Sequence, residues 1–136
     1  MPNIHSFAAS YDEARDKFLA AARIAGATTV RFDNPKKGPH GEALSTDLAW
    51  VGPEDASRVV VAISSTHGVE GYCGSGFQVD WLASVGAAGL PAGTAALWVH
   101  AINPYGFAWT RRVTEEGNDL NRNYVDHSKP YPTNEG

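Results

Sequence analysis

The chain holds one cysteine, Cys73, in 136 residues. A single thiol excludes an internal disulfide and any zinc cluster built on thiolates, and it is the usage of a reducing compartment, so a cytoplasmic location is the expectation. Long apolar runs are missing as well. No window approaches the roughly 18 consecutive apolar residues of a membrane span, and residues 1–10 show no basic segment leading into an apolar one. Positive charge is not clustered beyond Lys36-Lys37 and Arg111-Arg112, and the net charge is -4, so neither nucleic acid nor a membrane is an expected partner. A dinucleotide reading fails because GxGxxG and the Walker Gly-Lys-Ser/Thr ending are both absent. Gly71-Tyr72-Cys73-Gly74-Ser75 does not fit the GxSxG nucleophile turn, so Cys73 is read as a packing residue.

What is present fits one globular domain. The composition is 43% hydrophobic and 19% charged with 14 Gly and 8 Pro, and a compact fold of this length buries roughly two-thirds of its unfolded surface. Ser10 with Glu13 three residues on, followed by Phe18, Leu19, Ala22 and Ile24 near helical spacing, predicts a helix over 10–25 that stops at Gly26. Residues 28–32 and 43–51 read as strands separated by a Pro, Lys and Gly loop at 33–41. The β-branched run 58–64 is apolar on both faces and predicts a central strand in a covered sheet. Phe77, Val79, Trp81, Leu82 and Val85 predict a helix to about Gly86, and 95–102 a second buried strand. Residues 103–136, rich in Asn, Gly, Pro and Arg, read as a long irregular excursion. The expected class is α/β: three layers, with a mixed, mostly parallel sheet and helices on both faces.

Ligands of open α/β sheets gather at the carboxyl ends of strands, and two runs fall there. Ser64-Ser65-Thr66-His67-Gly68-Val69-Glu70-Gly71 places an imidazole and a carboxylate three residues apart, the HxxE spacing of two ligands for one metal ion. Gly68 and Gly71 leave the backbone free to bend between them. Farther on, Arg111-Arg112 and Asp119-Leu120-Asn121-Arg122-Asn123 offer guanidinium forks and an amide suited to a carboxylate or an oxyanion. Together the runs suggest zinc-dependent hydrolysis of an amide bond. His100, inside an apolar strand, is read as a core histidine, and Trp50, Trp81, Trp98 and Trp109 as core or wall aromatics.

Through His67xxGlu70, Asn103-Pro104 and Asp119-Leu120-Asn121-Arg122, residues 59–124 resemble the N-terminal part of the zinc carboxypeptidase superfamily, including its aspartoacylase and succinylglutamate desuccinylase branch. The resemblance implies that His67 and Glu70 bind zinc, that Asn121 and Arg122 hold a substrate carboxylate, and that Arg112, or alternatively Arg111, polarises the scissile carbonyl. It also implies a third ligand histidine and a glutamate base well downstream. The sequence ends at Gly136, and His127, five residues past Arg122, is a poor stand-in.

The expectation is therefore the N-terminal portion, residues 1–136, of a truncated catalytic domain. The activity expected of the whole is hydrolysis of a small peptide, or of an N-acyl amino acid in the deacylase alternative. This chain alone is expected to be catalytically incomplete, to bind zinc weakly, and to pair with itself or with a missing carboxyl half. A module that binds carboxylates without catalysis is the reading from another class.

Overall fold

The computed structural model describes residues 3–122, 124–126 and 128–130. Helix α1 (Tyr11–Ile24) begins where the Ser10 hydroxyl accepts the Glu13 N–H, with Glu13 folding back onto the Ala9 N–H at 2.8 Å. Strands β1 (Thr28–Lys37) and β2 (Ala43–Val51) form an antiparallel hairpin, so β1 runs on through most of the segment expected as a loop. A register shift between Asp33 and Lys37 absorbs Pro35. Strand β3 (Arg58–Ile63) leads into helix α2 (Gly71–Ser84), then strand β4 (Thr94–His100) and the short helix α3 (Pro104–Ala108). Helix α2 starts earlier than the apolar periodicity predicts, because its glycines are there for close packing: a Cβ at Gly74 would come within 2.9 Å of Ser64 Cβ, and one at Gly76 within 2.5 Å of the Phe7 ring.

The sheet order is β1-β2-β4-β3, with β3 and β4 parallel and the other two pairings antiparallel. This corrects the mostly parallel sheet expected from sequence. The strand, helix, strand unit does close in parallel, but the hairpin adds two antiparallel strands to it. Three layers are not seen among the described residues: α1 and α2 lie on the same face, where Phe18, Ala21, Ala22, Val79 and Leu82 meet Ala49, Val51, Ala96 and Trp98 of the sheet. A buried cluster at the end of that face is paired. Asp47 accepts from Arg15 Nε at 2.7 Å, Nη2 at 3.0 Å and the Ser45 hydroxyl at 2.9 Å, while the Tyr11 hydroxyl bridges the Ser45 N–H and C=O. The phenol titrates above its ordinary value because burial disfavours the phenolate.

Strand β3 is an edge strand among the described residues, not the central one its sequence suggests. Val59, Val61 and Ile63 are about half exposed and share the uncovered face with Val30 and Phe32. An apolar edge of this kind favours association. Replacing Val59 and Val61 by lysine is expected to reduce concentration-dependent light scattering while shifting the thermal midpoint by no more than a few degrees; undiminished scattering would locate the association elsewhere. No helix among the described residues is long and apolar enough to cross a membrane.

Candidate metal centre

The carboxyl ends of β3 and β4 stay laced together beyond the strands. The Ser64 N–H donates to Val99 O, the Ile102 N–H to Ser64 O and the Asn103 N–H to Ser65 O, at 3.0, 3.1 and 3.2 Å. His67 follows on one side and α3 on the other. Asn103 caps α3 by accepting the Gly106 N–H at 2.8 Å, with Pro104 in the first turn. The loop after α3 returns to His67: Arg112 O accepts the Gly68 N–H at 3.4 Å and lies 3.5 Å from the Asn103 amide nitrogen. This approach needs glycine at 68, where a Cβ would overlap the Gly106 backbone at 1.9 Å. The glycine therefore follows from packing as well as from the bend at the HxxE.

His67 is buried, and both of its ring nitrogens face carboxylates. Nδ1 lies 3.1 Å from Glu70 Oε1 and Nε2 lies 3.0 Å from Asp119 Oδ1. Asp119 also accepts Arg112 Nε at 2.9 Å and the Asn121 N–H at 2.9 Å. Desolvation opposes its ionisation, but the hydrogen bonds from Arg112, the Asn121 N–H and His67 prevail and hold the carboxyl down at about 2. An ionised carboxylate only accepts, so Nε2 carries the proton and the lone pair of a neutral His67 is on Nδ1. Nδ1 and the Glu70 carboxylate face each other, joined by a proton when the ring carries one there and free to share a metal ion when it does not. Tetrahedral bonds near 2.1 Å would hold two ligand atoms about 3.4 Å apart, close to this separation, so an imidazole and a carboxylate fit a zinc ion here.

Arg112 spends Nε on Asp119 and is half exposed. Among the described residues its Nη groups have no hydrogen-bond partner, so they are available to an incoming anion. Arg111 points elsewhere, its guanidinium 5.9 Å from the centre of the Tyr105 ring, which itself stacks on Trp109. Asn121 joins the cluster only through its backbone; its side-chain oxygen accepts the Tyr124 hydroxyl at 2.8 Å. Arg122 is exposed and donates to Asn121 O at 2.8 Å. The structure thus brings together His67, Glu70 and Arg112, sets Asn121 and Arg122 beside them along the chain, and leaves Arg111 on an aromatic pair. His127 lies outside the described residues. Among those residues no group of three or more His, Cys, Asp or Glu is arranged to hold a metal ion.

Asp119 is the member of this cluster that sequence reading passed over. The signal lay in its place at the head of Asp119-Leu120-Asn121-Arg122 and in the general habit of metal-bound histidines to donate their second N–H to a carboxylate.

The family described as "Protein of unknown function (DUF2817)" matches residues 7–136. No curated protein matches significantly. Among solved structures, a Zn-dependent exopeptidase from Parabacteroides distasonis is similar at TM-score 0.52 and 14% identity, covering 83% of this chain and 46% of the other. A glutaminyl cyclase from Tannerella forsythia is similar at TM-score 0.50 and 14% identity, covering 81% and 45%. A Porphyromonas gingivalis glutaminyl cyclase reaches 20% identity at TM-score 0.44, covering 70% and 40%. The likenesses to the exopeptidase and to the Tannerella forsythia cyclase show a shared fold. The chain spans less than half the length of each of these structures.

Proposed function

Because the chain belongs to the DUF2817 family, whose function is unknown, we propose its activity from the site: it carries the ligand turn of a zinc-dependent hydrolase acting on an amide or peptide bond next to a free carboxylate. One observation carries this reading. His67 Nδ1 and Glu70 Oε1 converge at 3.1 Å, with the imidazole oriented from behind by Asp119. The zinc and hydrolase part is supported by the fold shared with a Zn-dependent exopeptidase. The carboxylate-adjacent substrate rests on Arg112, Asn121 and Arg122. The aspartoacylase-like alternative has no observation in its favour beyond the sequence resemblance.

When bound, zinc would supply Lewis-acid activation of a water and of the scissile carbonyl. Asp119, held ionised, keeps the His67 ring in the tautomer with Nδ1 free and raises the basicity of that nitrogen. Arg112 is oriented by its Nε bond to Asp119 so that its Nη groups can meet the oxyanion of a tetrahedral intermediate. On this reading Asn121 and Arg122, two and three residues past Asp119, would turn from Tyr124 and the Asn121 carbonyl to hold the substrate carboxylate, a role guanidinium serves through paired hydrogen bonds. A catalytic zinc takes three protein ligands, and the described residues converge two, so the third ligand and the general base come from outside them.

The test is elemental analysis of metal-free and zinc-reconstituted protein, with His67→Ala as control and turnover assayed on C-terminal peptide and N-acyl amino acid substrates. Wild type is expected to take up zinc substoichiometrically, His67→Ala to take up none, and turnover by this chain alone to be low or absent. Equal zinc in the two proteins would overturn the reading. Carboxylate binding that survives chelation, without hydrolysis when metal is restored, would favour a non-catalytic module.

A further inference from the structure

We propose that Ser65 is a positioning residue whose buried hydroxyl sets the His67 ring between Glu70 and Asp119; its importance for metal binding rests on the reading above, but its effect on the ring does not. Ser65 is one of two residues other than glycine that the described structure holds at positive φ, at 62°. Left-handed backbone disfavours a residue with a Cβ, and it occurs here two residues before His67, where the chain leaves the sheet. A turn alone would be made at lower cost by glycine. The side chain is what serine adds.

That side chain is buried, and its hydroxyl reaches the carbonyl oxygens of Gly68 at 3.3 Å and Asn103 at 3.2 Å. The one hydroxyl proton is shared between them: toward Gly68 O it closes the loop that contains His67, and toward Asn103 O it ties that loop to the cap of α3. Asn103 in turn accepts the Gly106 N–H and lies against Arg112 O, so the same hub reaches the arginine that holds Asp119. Both carboxylates facing His67 are thereby referred to one point: Glu70 through the turn after Gly68, and Asp119 through Arg112. A Cβ at Gly71 would lie 2.8 Å from Ser65 Oγ and 2.8 Å from the Phe107 ring, so glycine at 71 leaves room for both.

Ser65→Gly separates the two roles, because it relieves the left-handed backbone while removing the hydroxyl, and Ser65→Ala removes the hydroxyl with the Cβ retained. In metal-free protein the readout is the long-range 15N–1H spectrum of His67, which reports how protons are held on the two ring nitrogens between Glu70 and Asp119. In zinc-titrated protein it is affinity. If the hydroxyl positions the ring, Ser65→Gly should fold with a thermal midpoint within a few degrees of wild type, yet lose the single-tautomer pattern and bind zinc about tenfold or more weakly, the range seen when groups orienting a metal ligand are removed. A Ser65→Gly protein that keeps both the tautomer pattern and the affinity overturns the proposal and makes Ser65 a turn residue only. Should wild type and His67→Ala bind zinc equally while the tautomer pattern still depends on Ser65, the positioning role stands and the metal reading falls.

Discussion

Phe18→Ala is expected to destabilise the chain by about 3–5 kcal/mol, the range for truncating a large buried aromatic to alanine. Phe18 is wholly buried at the centre of the cluster that joins α1 and α2 to the sheet, and its ring stacks on His100 at 4.6 Å between centroids. The loss is large because the site has little freedom to collapse. Its neighbours Ala21, Ala22, Ala49 and Ala96 are already small and cannot extend into the vacated volume. Set against the roughly 5–15 kcal/mol of net stability usual for a domain, this would leave the variant marginal or unfolded at 37 °C. Urea unfolding followed by circular dichroism measures it, and a loss below about 1 kcal/mol would mean that the helix layer repacks around the gap.

His100 is expected to make the fold acid-sensitive from pH 6.5 downward, before most carboxylates begin to titrate. Burial lowers its pKa from the ordinary 6.5 to about 4, with the nearby Asp47 offsetting part of the shift and Arg15 adding to it. Nε2 is paired with the Ser75 hydroxyl at 2.9 Å, and Nδ1 has no partner among the described residues, so an added proton would bring a charge into an apolar layer. Between pH 6.5 and about 4 the unfolded chain binds this proton and the native chain does not. Stability therefore falls as pH drops through that window, by about 3 kcal/mol in all, and loses nothing more from this group below it. The check is urea unfolding at half-unit steps from pH 7 to 4 on wild type and on His100→Gln, comparing slopes and not absolute stability. Equal slopes in the two proteins would show that His100 contributes none of the acid sensitivity.

Much of this layout could be read from local patterns because local physics sets it. The Ser10 cap, the β-branched run at 58–63, and the alternation of 43–51 each encode an element whose stability depends on neighbours in the chain. The HxxE turn and its place after a strand were legible for the same reason: both side chains sit within one turn of backbone. Asp119 was not read as the partner of His67, because the two are 52 residues apart and only the return of the loop after α3 to Gly68 brings them within 3.0 Å. The direction of the sheet was misread at the same level. A hairpin and a parallel crossover unit contain similar strands, and register between distant strands decides which pairing dominates.

From sequence alone came the identity and spacing of the proposed metal-binding pair, the class of chemistry that an imidazole, a carboxylate and free guanidinium groups support, and the exclusion of thiolate clusters. Only the tertiary structure decided that Asp119 meets His67 Nε2, that Arg112 and not Arg111 stands beside it, and that β3 lies at the edge of the described sheet with one face uncovered. These outcomes depend on long-range closure. Donor and acceptor types are properties of single residues, whereas the partner each one meets is set by how strands and loops far apart in the chain pack against one another.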